Sequence, residues 1–502
     1  MAGTADPAGG RAARVDRPLV TLSAVIVIGA FTSALDATVV FVALDRIGQE
    51  FDAPLPSLQW VAAGYLLALA TVVPITGWSV ERFGARTMWL AALSLFTVGA
   101  GLCGAAWSIE SLIAFRVLQG LGAGMIPPLA QIILVRAAGP ARIGRVMSLV
   151  SVPTQLAPVV GPTAGGFMVA TSGWRAAFYL YLPLGTLGVL LAWWRLPRER
   201  SRPATRLDLV GVALLSPGVV VLTYGLTVAG DGARRTGAST LVALAAGAVL
   251  LAGYALHARR RGDHAAIDLR LFRHRPFAVA TGLIFLSGIS LFGLLLLLPL
   301  YYQQVRGVDP ARAGLLLAPQ GVGMIAALVV AGILVDRYGP RYIVLSGIVL
   351  TIAGTLPFTQ VSTVDSDLLF TAGLLVRGFG LGAAAIPLTA AAYRSLTGEE
   401  IPRAASALVI AQRLGASLGT AALAAILHLA RGAGSPAGTA PAPAALASAF
   451  AHAFWWTVAL AAVALAPAWL LPGRIAAPPA RSTPGRRASP PMVTGTERST
   501  PC

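Results

Sequence analysis

The chain has 502 residues, of which 56% are hydrophobic and 12% charged, with a net charge of +18 and a mean hydropathy of +0.75. A soluble globular domain carries about 25% charged residues, so this composition excludes a fold packed only against water. It points to an all-α integral membrane protein. All basic residues are arginines, scattered between apolar runs rather than gathered on one face, which argues against a nucleic-acid partner. Cys103 and Cys502 are too few for a disulfide framework, and no Cys/His cluster suggests a metal.

Residues 1–18 read as an N-terminal tail. Arg11, Arg14 and Arg17 before an apolar stretch resemble the start of a signal peptide, but Leu19–Leu44 far exceeds an h-region of roughly 7–15 residues. A retained first helix is expected. Fourteen apolar runs follow one another near 19–44, 59–79, 88–107, 110–135, 146–170, 176–196, 209–229, 239–257, 277–303, 313–335, 341–361, 368–392, 404–429 and 449–471. Runs of this length are transmembrane helix candidates. They divide the chain into a six-helix half at 19–196, an inserted pair with basic loops at 197–276, a second six-helix half at 277–471, and a tail at 472–502. The tail is rich in Pro, Ser, Thr and Arg and is expected to be disordered.

Arginine placement sets the expected orientation. With the N-terminus inside, 28 arginines fall on inner segments, seven on outer loops and three (Arg116, Arg377, Arg413) within spans. The excess follows the positive-inside rule and predicts a multi-pass protein of the cytoplasmic (inner) membrane with both termini cytoplasmic.

The first span carries one carboxylate, Asp36, within Leu35-Asp36-Ala-Thr38-Val-Val-Phe-Val-Ala-Leu44. An ionisable group inside a membrane helix costs at least ~2.5–3.5 kcal/mol, so it normally faces a bundle interior or a wet cavity. Arg116 enters the fourth span at comparable depth, about six residues or ~9 Å from its outer end, against about eight residues or ~12 Å for Asp36. An ion pair is sterically reasonable, with snorkelling of Arg116 to the interface as the other reading. Arginine does not deprotonate, so in any such pair Asp36 is the group that carries a proton.

Two loop sequences repeat. Gly77-Trp-Ser-Val-Glu81-Arg82-Phe-Gly84-Ala-Arg86 follows the second span, and Gly332-Ile-Leu-Val-Asp336-Arg337-Tyr-Gly339-Pro-Arg341 follows the tenth, all five matched positions being 255 residues apart. Arg116-Val-Leu-Gln-Gly120-Leu-Gly122-Ala-Gly124 is matched to Arg377-Gly-Phe-Gly380-Leu-Gly382 through its arginine, at an offset of 261. The chain is therefore expected to be an internal duplication with parallel repeats.

These stretches resemble motifs of the major facilitator superfamily. Gly77–Arg86 and its repeat are similar to the family's inner-loop motif, and Arg116–Gly124 to its fourth-helix motif associated with proton coupling. Ala157-Pro158-Val-Val-Gly161-Pro162-Thr-Ala-Gly165-Gly166 resembles the fifth-helix antiporter motif, although plain small-residue packing explains the glycines equally well. The Asp36 stretch, Trp174-Arg175 with Phe178 and Pro183, Asp208 with Gly211, Tyr302-Gln303-Gln304 with Gly307 and Gly314, and Arg413-Leu-Gly415-Ala-Ser417-Leu-Gly419 resemble the 14-helix drug:proton antiporter family. The likeness runs from about Leu35 to Gly419. It departs at Glu81, where Asp is usual, at Asp45, where Pro is usual, and at Tyr181, where Asn is usual.

The resemblance implies a major facilitator fold with two six-helix halves plus an inserted pair, and a proton-coupled exporter of lipophilic drugs or antibiotics, monovalent-cationic or neutral. It implies antibiotic resistance, a lipid bilayer, protons and a lipophilic small molecule as partners, a functional monomer, and no cofactor beyond the proton gradient. Proton-linked transport of another metabolite on the same fold is the alternative. A carboxylate at Glu81 is expected to cap a helix or pair with arginine, latching the cytoplasmic side, with each such contact worth ~0.3–1 kcal/mol. Phe31, Trp60 and Tyr65 are candidates for an aromatic cavity wall, and Gln119, Gln131, Gln155, Gln303, Gln320 and Gln412 for its polar lining. Arg377 and Arg413 are expected to meet Gln or backbone carbonyls. No GxxxxGK[ST] loop is present and no intramembrane His/Asp or Ser/His set suggests an enzyme.

Overall fold

The computed structural model describes residues 17–473 except 54, 139–145, scattered positions between 148 and 170, 199–206, 231–237, 263, 264, 266, 309, 363–365, 395 and 434–442. All regular structure among the described residues is helical. The first half contains α1 (Arg17–Phe51), α2 (Leu55–Phe83), α3 (Ala85–Gly104), α4 (Ile109–Ala138), α5 (Trp174–Tyr179) and α6 (Tyr181–Arg195). The inserted pair is α7 (Leu209–Gly230) and α8 (Ala238–Arg261). The second half contains α9 (Arg275–Gln304), α10 (Pro310–Leu316), α11 (Ala318–Tyr338), α12 (Pro340–Thr355), α13 (Asp367–Arg394), α14 (Ile401–Ala433), α15 (Pro443–Val463) and α16 (Leu465–Ala468).

Thirteen of the fourteen expected spans are therefore present as helices long and apolar enough to cross a membrane. The fifth, near 146–170, lies largely outside the described residues, as does the tail beyond 473. Proline explains the split spans. Pro183, Pro319 and Pro467 have no N–H for the carbonyls of Tyr179, Leu315 and Val463, and the helices break at Leu180, Leu317 and Ala464. The ends also run beyond the apolar stretches. Helix α1 continues through Asp45 and Glu50 to Phe51, because polar side chains outside the hydrocarbon tolerate helix as well as loop.

Glycine sets the packing, and it sets the same packing twice. A Cβ on Gly120 or Gly124 of α4 would lie 2.5 or 2.4 Å from the carbonyl oxygens of Tyr65 and Leu69 on α2. A Cβ on Gly378 or Gly382 of α13 would lie 1.9 or 2.4 Å from those of Gln320 and Met324 on α11. Gly122 meets α3 at Phe96, as Gly380 meets α12 at Gly347 and Thr351. Small residues on one ridge let helix backbones touch, which is the main source of helix association in lipid.

This register corrects the fourth-helix match. The glycines pair at an offset of 258 residues, not 261, so Arg377 occupies the place of Gln119 rather than that of Arg116. The third helices agree: Gly99 abuts Gln119 and Gly354 abuts Arg377. Aligning on the arginines alone misled by three residues.

Helix α7 packs against both α2 and α14, so the inserted pair sits beside the seam of the two halves; Ser216 Oγ donates to the Thr71 carbonyl at 2.8 Å. Helix α8 is mostly uncovered, exposing Leu241, Val242, Val249 and Leu256. An apolar face of this extent suits contact with lipid chains.

Candidate functional site

Three helices converge on Asp36. Its carboxylate, with no exposed surface, accepts hydrogen bonds from Arg116 Nη1 at 3.0 Å (Oδ1) and 2.9 Å (Oδ2), and from Gln119 Nε2 at 3.2 Å. Arg116 also donates from Nε to the Val61 carbonyl at 3.2 Å and from Nη1 to Gln119 Oε1 at 2.8 Å. The spacing of three residues between Arg116 and Gln119 puts both on one face of α4. The Tyr65 ring lies 4.0 Å below the guanidinium carbon, a cation–π contact in a desolvated site. Phe178 approaches from α5 at 5.8 Å. Arg116 is therefore buried and paired, not snorkelling.

A protonated Asp36 would keep its carbonyl oxygen as an acceptor and lose the ionic part of its attraction to Arg116, which would then remain as a buried cation. Val39, one turn along α1 from Asp36, is in turn packed by the fifth span, where a Cβ on Gly165 would lie 2.7 Å from Val39 Cγ1. Pro158, Gly161, Pro162, Gly166 and Gln155 lie outside the described residues.

The inner-loop motifs form a matched pair of corners. Gly84 and Gly339 have φ of 82° and 80°, a conformation that glycine adopts without strain, and each caps the next helix. Arg86 donates to the Trp193 carbonyl at the end of α6 and lies over the Trp193 ring, while Arg341 Nε donates to the Leu471 carbonyl past α16 at 2.7 Å. Each motif thus ties the third helix of its half to the sixth. Glu81 does something different: Arg403 Nη2, in the first turn of α14, donates to its Oε2 at 3.1 Å. A Cβ on Gly77 would lie 3.2 Å from the neighbouring Pro402 carbonyl. Glu81 therefore pairs with arginine of the opposite half. Arg82 is exposed; the side chains of Gly332, Asp336 and Arg337 lie outside the described residues.

A cavity of ≈ 110 Å³ is walled by α9, α11, α13 and α14 of the second half, with Gln131 of α4 reaching it from the first. Polar side chains on its wall are Gln131, Ser287, Thr389 and Gln412, and apolar ones include Met324 and Leu381. Two of the six candidate glutamines, Gln131 and Gln412, line it, and Gln131 accepts a 2.6 Å hydrogen bond from Tyr393 of the other half. No aromatic ring is among its described lining residues. The aromatic wall is corrected accordingly: Tyr65 is buried over Arg116, Phe31 is half-buried against the core of the first half, and Trp60 is 47% exposed. Gln119 is consumed by the Asp36 network, Gln303 is exposed, and Gln320 stands one turn from Met324.

Sequence reasoning singled out Asp208 with Gly211 and Trp174 with Arg175 but missed their distant partners. Asp208, buried, accepts at Oδ1 from the Gly211 N–H at 3.0 Å, capping α7, and lies 2.8 Å from His257 Nε2 of α8. An Asp just before an apolar run is an N-cap signal, but its partner 49 residues on is invisible without the fold. On the opposite side, Glu50 meets Arg175 and accepts from Trp174 Nε1 at 2.6 Å. Arg175 beside it holds the Glu50 carboxyl below its ordinary value, against partial burial.

Comparison with known proteins agrees with this architecture. A profile of the Major Facilitator Superfamily matches residues 26–420. A multidrug resistance protein B homolog of Mycobacterium tuberculosis is 38% identical over 418 residues, covering 82% of this chain and 77% of its own. A putative multidrug resistance protein MdtD of Pectobacterium atrosepticum is 30% identical, covering 67% and 72%. Among solved structures, the human organic anion transporter MFSD10 (TETRAN) superposes with a TM-score of 0.59 at 16% identity, covering 89% of this chain and all of its own. The proton:xylose symporter XylE gives 0.60 at 15% identity, covering 90% and 95%. At such identity these two speak for the fold alone.

Proposed function

Because the chain belongs to the major facilitator superfamily, we propose that it is a proton-coupled exporter of lipophilic drugs or antibiotics, neutral or singly charged, in the cytoplasmic membrane. The observation that carries this reading is the Asp36–Arg116 pair, a carboxylate without exposed surface held at 2.9 Å by one arginine. A buried ion pair is weak evidence for stability, since apolar replacements often do as well. It is far better suited to a site that must change charge.

Protonation of Asp36 releases Arg116 from its ionic partner and weakens the tie between α1 and α4. Loss of the proton restores it. Proton binding thereby biases how α1 sits on the first half, while the cavity walled mainly by the second half takes the substrate. Names of the bacterial relatives support drugs as the cargo.

Inverted vesicles supply the test. A panel of matched neutral, monovalent and divalent lipophilic dyes is offered with and without a pH gradient. Gradient-driven uptake of neutral or monovalent dyes and slow handling of dications is the expected result, because an unpaired buried charge costs several kcal/mol. Equal transport with and without the gradient would remove proton coupling, and equal rates for mono- and dications would mean that a second acid reaches the cavity.

A further inference from the structure

The first and second halves carry different charge at equivalent places: a carboxylate beside a glutamine in the first, an arginine beside a serine in the second. In the first half, Gln119 donates to Asp36 of the first helix. In the second half the equivalent of Gln119 is Arg377, and what it meets on α9 is Ser290, through the carbonyl at 2.7 Å and Oγ at 3.4 Å. Arg377 has no exposed surface, and among the described residues its Nε and Nη1 have no hydrogen-bond partner. Oε1 of Gln320, the residue whose backbone Gly378 touches, is likewise buried without a partner among the described residues. The only acids of α9–α16, Asp336 and Asp367, stand at helix ends.

These groups do not line the cavity themselves; each stands one turn or less along its helix from a residue that does. Arg377 is one turn from Leu381 on the same face of α13, Gln320 one turn from Met324 on α11, and Ser290 lies beside Leu291 and one turn from Ser287 on α9. Leu381, Met324, Leu291 and Ser287 all line the cavity wall. A guanidinium whose Nε and Nη1 are unpartnered in a dry site can donate a charge-assisted hydrogen bond to a carboxylate, and leaving it unmatched is costly.

We propose that Arg377, with Ser290 beside it, is the anchor for a carboxylate on the transported compound. The preferred cargo is then a lipophilic acid or zwitterion whose apolar body fills the cavity between α9, α11, α13 and α14. This rests on the exporter reading and narrows its charge class.

The probes are 1-pyrenebutyrate and its primary amide, bound to the purified full-length chain in nanodiscs and followed by tryptophan quenching. The unmodified protein is expected to prefer the carboxylate by about tenfold, the effect of one charge-assisted hydrogen-bonded contact. Arg377→Gln is expected to erase the preference while leaving amide binding in place, and Arg377→Lys to retain part of it, keeping charge without the planar fork. Equal loss of both probes in Arg377→Gln would mark a structural role and overturn the proposal. So would equal affinity for the two probes, or binding of neither, in the unmodified protein, a readout that stands even where Arg377→Gln does not fold. Gradient-driven export of both probes is measured alongside. Export without carboxylate preference removes the anchor and keeps the exporter; preference without gradient-driven export does the reverse.

Discussion

Glu81 of α2 and Arg403 of α14 meet at 3.1 Å across the boundary between the two halves. The corresponding arginines of the loop motifs, Arg86 and Arg341, bind backbone within their own halves. Each motif therefore ties its own half together, and Glu81 adds a contact between the halves, beside the Tyr393–Gln131 hydrogen bond. Both partners are partly exposed, so the contact is worth at most ~1 kcal/mol. That value lets the seam open in each cycle.

Breaking this contact is expected to shift the conformational balance without unfolding the protein. In a background with Cys103 and Cys502 replaced by serine, Thr389→Cys on the cavity wall reports access from the seam side in inverted vesicles. Glu81→Gln should speed its labelling by an impermeant maleimide by up to about fivefold, as expected for ~1 kcal/mol. The double exchange Glu81→Arg with Arg403→Glu should return the rate toward that of the parent. Unchanged labelling in Glu81→Gln would show that the pair does not hold the seam.

The glycine ridge gives a sharper stability contrast. Gly122→Ala places a Cβ 2.5 Å from the Phe96 backbone nitrogen, and Gly124→Ala places one 2.4 Å from the Leu69 carbonyl. Each should lower thermal stability in detergent by ~1–3 kcal/mol, the usual cost of overpacking. Gly282→Ala meets nothing within 4 Å and should be neutral or slightly stabilising. A Gly124→Ala protein that melts with the parent would mean α2 and α4 are less closely packed than described.

On the Glu50 side the expectation is a pH dependence. Arg175 holds the Glu50 carboxyl below its unfolded value, so the contact stabilises the folded form above the unfolded pKa of about 4.3. That contribution is lost as pH falls through the lower folded value. The difference in melting temperature between the parent and Glu50→Gln should therefore be full at neutral pH and shrink steadily below about pH 4. A difference that grew on acidification would reverse the sign and contradict the contact.

Much of the fold was legible because lipid demands it. Each span must satisfy its own backbone hydrogen bonds, so apolar run length alone located the helices. Asp36 stood out as a lone carboxylate in such a run, and the two loop motifs showed the duplication because charge, glycine and spacing recur together. What was not legible depends on partners far apart in the chain. Arg403 lies 322 residues from Glu81, and the partners of Arg86 and Arg341 are carbonyls that leave no trace in side-chain pattern. Tyr65 read as a cavity wall because an aromatic in a membrane helix looks the same whether it faces substrate or a buried guanidinium. The place of Arg377 was misread for a related reason: arginine is conspicuous, but glycine decides the helix register.

Coupling by Asp36 is tested most directly by separating exchange from drive in one variant. Asp36→Asn keeps the shape and the hydrogen bond to Gln119 but cannot change charge. In reconstituted vesicles loaded with an exported dye, counterflow without a pH gradient measures whether the protein still binds and moves substrate. Asp36→Asn is expected to retain counterflow and to lose accumulation driven by the pH gradient. Normal gradient-driven accumulation by Asp36→Asn would rule out coupling through Asp36.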